Sequence, residues 1–222
     1  MTVDFTLSPR PLNSAMQRLQ DFGEPMRFRR KETLWSAGEP ARGVFLVTSG
    51  CVKLHRANGT RRVTLDLAHR GELLGLDGSQ AGQERSCSAT ALSLVKGVFV
   101  DAARLRGLAI QHPEIWDLLL GATRERATHF AQDLEELATM SVEQRLAKRL
   151  LDIGSSVGLA DARGVFIPLR LTRVELSEMA WCRSETVIRL MTKWDELGWV
   201  KTQREGIVLC SLEGLESLLN QG

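Results

Sequence analysis

Two rhythms run along this chain. In some stretches apolar residues recur every three or four positions, and in others they alternate with polar ones; the first predicts helices and the second strands. From Leu171 to Leu209 the rhythm is helical, then alternating. Thr172 is a start signal for a short helix with Leu176, Met179 and Ala180 as its apolar stripe. A break at Trp181-Cys182-Arg183 precedes a second helix from Ser184 to Leu197. That helix sets Val187, Leu190, Met191 and Trp194 on one face and Ser184, Glu185, Ile188 and Arg189 on the other. Gly198 stops it. A small hairpin follows: Trp199 to Thr202, a turn at Arg204-Glu205-Gly206, then Ile207 to Leu209. Helix, break, helix and hairpin in this order are the pattern of a winged helix-turn-helix.

Upstream, Met26 to Val100 reads as short strands punctuated by glycines. Val44 to Val47, Cys51 to Arg56 and Val63 to Leu67 are strand runs, and Asn58-Gly59 between the last two is a hairpin signal. Many short strands at this spacing predict a barrel or sandwich. Residues 1–24 form a lead-in with a short helix near Asn13 to Asp21. Asp101 to Leu108 predicts a short helix, and a long one runs from Pro113 to Thr139 after the turn at His112-Pro113. Along it Trp116, Leu120, Thr123, Ala127, Phe130, Leu134 and Leu137 follow the heptad steps of a coiled-coil seam. A second stripe, Ile115, Leu118, Leu119 and Ala122, faces the strand-rich region. Two readings fit: a helix that pairs with a second copy of the chain, or one buried on two sides within one subunit. The first is preferred, because the helix is long for a small domain. Ser141 to Ser155 predicts a further helix, with Gly154-Ser155-Ser156 and Gly158 loosening the chain after it. Phe166 to Leu169 predicts a short strand and Leu212 to Leu219 a terminal helix. The fold class is α+β, with domains at 1–108, 109–140 and 141–222.

Composition changes this picture little. The chain has 222 residues, 43% apolar and 25% charged, and a formal net charge of +2. From Ser141 to Gly222 there are 11 Lys plus Arg and 11 Asp plus Glu. Any attraction to phosphate must come from where charges sit. The four cysteines, Cys51, Cys87, Cys182 and Cys210, lack C-x-x-C spacing. That argues against a disulfide framework or zinc site and fits a reducing cytoplasm. The N-terminus has no signal-peptide core, and no apolar run is long enough to span a membrane. No G-x-S-x-G, Walker-type Gly-Lys-Ser/Thr loop or H-E-x-x-H occurs, so no enzyme is expected.

Glu185 and Arg189 are four apart and project from one helix face. A carboxylate accepts from cytosine N4, and a guanidinium clamps guanine O6 and N7. The plainer alternative is an exposed i,i+4 ion pair worth ~0.2–0.5 kcal/mol. Thr172-Arg173 and the run Cys182 to Arg189, with E-T-V-I-R at 185–189, resemble the DNA-reading segment of the Crp/Fnr family of bacterial transcription regulators. Glu39-Pro40, Gly43 to Gly50 and Gly71 to Gly75 resemble that family's cyclic-nucleotide-binding β-roll. The resemblance implies double-stranded DNA, a second copy of the chain and RNA polymerase as partners. It implies that Glu185 and Arg189 read bases and that Thr172, Arg173 and Thr186 hold phosphates. Ser184 and Ile188 would add base contacts, and Lys193 and Arg204 further phosphate contacts. Two positions depart from the family pattern. Ser184 stands where the cyclic-AMP-responsive branch has a guanine-reading Arg. Trp181 stands where the turn usually has Gly, which leaves that turn either strained or differently shaped.

Gln83 to Ser86 resembles the segment that holds a cyclic phosphate, and Arg85 and Ser86 suit an anion. The plainer expectation for Arg85 is an exposed loop arginine. Leu76 stands where a Glu would accept from the ribose hydroxyl, which argues against cyclic AMP. Gly75-Leu76-Asp77 looks more like the oxygen-sensing Fnr branch. That branch's iron–sulfur cluster needs cysteines near the N-terminus, and none precedes Cys51. His55, His69, His112 and His129 form no evident haem set. Cys51 and Cys87 sit at alternating strand positions, which predicts buried, inert sulfur. The expectation is a regulator acting without cofactor or metal. The alternative is a sensor whose DNA binding requires a cyclic nucleotide.

Overall fold

The computed structural model describes residues 13–80 and 82–220; the lead-in read at residues 1–12 lies outside them. The described chain divides into two compact units that part between Ala131 and Gln132.

The first unit opens with α1 (Ser14–Phe22), where the Asn13 side chain caps the helix by accepting from the Met16 N–H. Eight strands follow: β1 (Glu24–Phe28), β2 (Thr33–Trp35), β3 (Gly43–Ser49), β4 (Val52–Asn58), β5 (Arg61–Ala68), β6 (Leu73–Leu74), β7 (Ser88–Ala91) and β8 (Val95–Asp101). They form two antiparallel four-stranded sheets, ordered β1-β8-β3-β6 and β2-β7-β4-β5. β4 and β5 pair down to Asn58 opposite Arg61, with Gly59 at φ +59° in the turn. A short 3-10 helix, Leu76–Ser79, bridges β6 and β7. Phe45, Val47, Val52, Leu54, Leu74 and Ala89 belong to one buried cluster of this roll. A second cluster joins its outer strands to helices, through Leu19, Leu46, Val100, Leu105, Ile115 and Leu119.

α2 (Ala102–Gln111) is capped by Asp101, and α3 (Glu114–Thr139) follows. The stripe of Ile115, Leu118, Leu119 and Ala122 packs on the roll. The heptad stripe does not: Trp116, Leu120 and Phe130 in this unit are exposed, Leu120 by 67%. Burial of α3 on two sides within one chain is therefore absent over these residues.

The second unit contains the last turns of α3, then α4 (Val142–Val157), opened by a capping box between Ser141 and Gln144. Gly154, Ser155 and Ser156 stay helical instead of loosening the chain; Gly158 is the C-cap, its N–H donating to the Gly154 carbonyl at 3.0 Å. β9 (Leu159–Asp161) and β10 (Gly164–Ile167) form a hairpin absent from the sequence pattern. β10 ends at Ile167, before Pro168, which has no N–H to pair. Next come α5 (Arg173–Met179), α6 (Ser184–Glu196), β11 (Val200–Thr202), β12 (Ile207–Leu209) and α7 (Leu212–Leu219). The small sheet runs β11-β12-β10-β9, so the wing hairpin is continuous with the hairpin that precedes α5.

Candidate nucleic-acid interface

α5 starts where Thr172 predicts it. Thr172 Oγ1 accepts from the Glu175 N–H at 3.1 Å, and the Glu175 carboxylate accepts from the Thr172 N–H at 2.7 Å. Leu176, Met179 and Ala180 are buried beneath. The turn that follows resolves the question raised by Trp181. Its backbone is left-handed at φ +52°, the conformation a glycine adopts freely. The Cys182 N–H closes the turn on the Ser177 carbonyl at 3.0 Å. The turn keeps its shape and carries strain of about 1–2 kcal/mol.

α6 is amphipathic for a physical reason. Val187, Met191 and Trp194 are buried, and the Trp194 indole N–H donates to Glu143 Oε1 at 3.2 Å. That fixes the helix roll and turns Glu185, Ile188 and Arg189 to solvent. Ser184 and Thr186 are half-buried at its start. Among the described residues no ion pair joins Glu185 to Arg189, and neither has a protein partner. The i,i+4 pair of the plainer reading is not formed. Two acid–base groups and one apolar side chain thus share an exposed face, with donors and acceptor uncommitted.

The candidate phosphate contacts differ among themselves. Arg173 is half-buried, its Nη2 donating to Thr202 Oγ1 at 2.9 Å, and burial draws its pKa down. Arg204 stands out from the wing with 93% of its side chain exposed. Lys193 is tied to Glu143 at 2.9 Å, so a phosphate would have to displace that carboxylate. Arg170 pairs with Glu205, and Lys201 pairs with Asp195 at 3.0 Å.

In the roll, Arg85 is not an exposed loop arginine. It is 5% exposed, with its guanidinium 4.3 Å from the Trp35 ring centre. Its Nη2 donates to the Gly43 carbonyl at 2.8 Å, and its Nη1 donates to the Gly75 carbonyl at 3.0 Å and to Asp77 Oδ1 at 2.8 Å. A Cβ on Gly75 would collide with Arg85 Nη1, so glycine is needed for this approach. Asp77 Oδ2 also accepts from the Ser86 N–H at 2.8 Å and the Ser86 hydroxyl at 3.2 Å. Burial pushes the Asp77 carboxyl up, but the Ser86 N–H, the Arg85 guanidinium and the Ser86 hydroxyl outweigh it and hold its pKa below the usual value. The donors that suit an anion already hold one. Cys51 is fully buried, and burial, then Glu72 and Asp66, push its thiol up to about 12. Burial also raises Cys87. Neither sulfur is a ready thiolate.

An eight-stranded roll, a long helix and a winged helix-turn-helix with an uncommitted polar helix face define a DNA-binding transcription regulator. A family model described as cyclic nucleotide-binding domain matches residues 25–112, and one described as Crp-like helix-turn-helix domain matches residues 144–218. The chain belongs to the Crp/Fnr family of transcription regulators. Among relatives, the CRP-like cAMP-activated global transcriptional regulator of Mycobacterium tuberculosis is 26% identical over 203 residues, 91% of each chain. The transcriptional regulatory protein btr of Bordetella pertussis is 26% identical over 199 residues, 89% of this chain and 82% of that one. FixK2 from Bradyrhizobium japonicum shares the fold with a TM-score of 0.76 at 22% identity, covering 88% of this chain and 96% of its own. No described helix is long and apolar enough to cross a membrane.

Proposed function

We propose that the protein is a homodimeric regulator that reads a palindromic operator, and that it does so without a small-molecule effector. The observation that carries the reading is the outer face of α6, where Glu185, Ile188 and Arg189 are exposed and the two charged groups have no protein partner among the described residues. α6 enters the major groove. Glu185 accepts from cytosine, Arg189 clamps guanine, and Ile188 meets a thymine methyl. Ser184 adds a polar base contact. Thr172, Arg173, Thr186 and Arg204 hold phosphates, with Lys193 joining once it leaves Glu143.

The dimer joins along α3. Its heptad stripe leaves Trp116, Leu120 and Phe130 exposed in the first unit and Leu134 and Leu137 in the second, Leu134 by 69%. Thr123 and Ala127 complete the seam. Apolar seams of this length are covered by a second copy. Residues 1–108 then serve as the regulatory domain, 109–140 as the dimer helix and 141–222 as the DNA-binding domain of a cytoplasmic protein that works with RNA polymerase. Effector independence is supported by Asp77, which takes the Arg85 and Ser86 donors, and by Leu76, which offers no acceptor to a ribose hydroxyl.

The second reading is a cyclic-nucleotide sensor. It is favoured by the description of the family model over residues 25–112 and of the Mycobacterium tuberculosis relative. Selection from a random duplex library tests the main reading. Two inverted half-sites about one helical turn apart are expected from protein without additive. Retention that is salt-sensitive but indifferent to sequence would contradict it.

A further inference from the structure

Trp181 is a costly choice. Its left-handed backbone would be free for glycine, so the indole must be kept for something it touches. It touches Arg149. The guanidinium carbon of Arg149 lies 5.3 Å from the Trp181 ring centre, within cation–π range. The other side of the same guanidinium belongs to the long helix. Arg149 bonds to Asp133 and lies 3.2 Å from Glu136 Oε2, both in the last two turns of α3. One turn earlier on α4, Arg145 repeats the bridge. It is 7% exposed; its Nη1 donates to the Met140 carbonyl at 2.6 Å, just past α3, and its Nε donates to the Ala180 carbonyl at 3.2 Å, just before Trp181. Two arginines on one helix each reach from the end of α3 to the turn between α5 and α6.

We infer that Trp181 and Arg149 are positioning residues that fix the aim of α6 relative to α3, and that they set the half-site spacing the dimer accepts. This rests on the DNA-reading proposal above. The start of α6 is tied through the turn to the helix that joins the two copies, and not to α5 alone. Neither residue is on the outer face of α6, so neither chooses the bases. What they choose is the distance between two reading helices. A ring in left-handed strain, clamped by a guanidinium that two carboxylates hold, gives a stiff link. A glycine would give the same turn without the link.

The test is library selection with the full chain, as wild type, Trp181→Gly, Arg149→Met and Trp181→Phe, reading half-site bases and spacer length separately. Glycine suits the left-handed turn, so Trp181→Gly keeps the fold, and Trp181→Phe keeps a ring for Arg149; thermal melting checks all four. Wild type and Trp181→Phe are expected to enrich one spacer. Trp181→Gly and Arg149→Met are expected to enrich the same half-site bases with loss of preference among spacers a base pair longer or shorter. Unchanged spacer preference in Trp181→Gly and Arg149→Met overturns the inference, as does a change in base preference at unchanged spacing. A wild type that enriches no paired half-sites overturns the DNA-reading proposal itself, and this inference falls with it.

Discussion

Arg85 in the roll and Arg189 on α6 are the same side chain put to opposite use. Arg85 is buried, and its donors are spent on two carbonyls and the Asp77 carboxylate. Arg189 is exposed and bonds to nothing else in the described chain. Ser86 and Glu185 continue the contrast. Ser86 gives both its N–H and hydroxyl to Asp77, whereas the Glu185 carboxylate accepts from no donor among the described residues. A polar group that the fold has satisfied stabilises the fold. One that the fold leaves unsatisfied in water is available to a partner. On this criterion the roll is closed and the helix face open.

Substitution should separate the two. The largest effect is expected from Arg85→Ala, which removes the buried cation beside Asp77 and a donor from the Gly43 and Gly75 carbonyls: about 2–4 kcal/mol of stability lost in chemical denaturation, with operator preference unchanged. A variant as stable as wild type would break the contrast. Arg189→Ala should do the reverse, costing ~1–3 kcal/mol of discrimination at one base pair with an unchanged melting temperature. Equal loss on specific and random duplexes would remove Arg189 from base reading. Asp77→Ala sharpens the comparison from the other side. With the internal anion gone, inorganic phosphate should raise the melting temperature of the variant and leave wild type unmoved; equal responses would mean that Asp77 does not fill the seat. Arg173→Ala should weaken all duplexes alike and lower the salt slope by about 1.

The last effect is absent at neutral pH. Burial, then Lys53 and Arg62, lower the His55 pKa from 6.5 to about 4. Below pH 6.5 the unfolded chain binds a proton that the folded roll refuses, so stability falls as pH drops from about 6.5 to about 4. His55→Gln should flatten that slope in acid denaturation; a slope identical to wild type would acquit His55.

The open face was far more legible in the sequence than the closed one. Helical rhythm, Thr172 as a cap and Gly198 as a stop are local signals, and they define α5 and α6 to within a residue or so. The hydrogen-bond partners of the Arg85 guanidinium lie 8 to 42 positions away, and those of Arg145 and Arg149 bridge α3 to a turn more than 30 residues on. No local pattern carries such contacts. Glu143 likewise claims Lys193 across 50 positions, which is why that lysine read as free. The β9–β10 hairpin escaped because Leu159–Asp161 is only three residues long and has no β-branched residue.

The most direct test of a closed roll and an open helix is duplex binding by purified, ligand-free protein. The targets are palindromes with G·C-containing half-sites, measured with and without cyclic AMP at one salt concentration. A roll that supplies its own anion gives tight, sequence-specific binding that the nucleotide leaves unchanged. Specific binding that appears only when cyclic AMP is added would contradict it and make Arg85 and Ser86 the ligands of a working sensor.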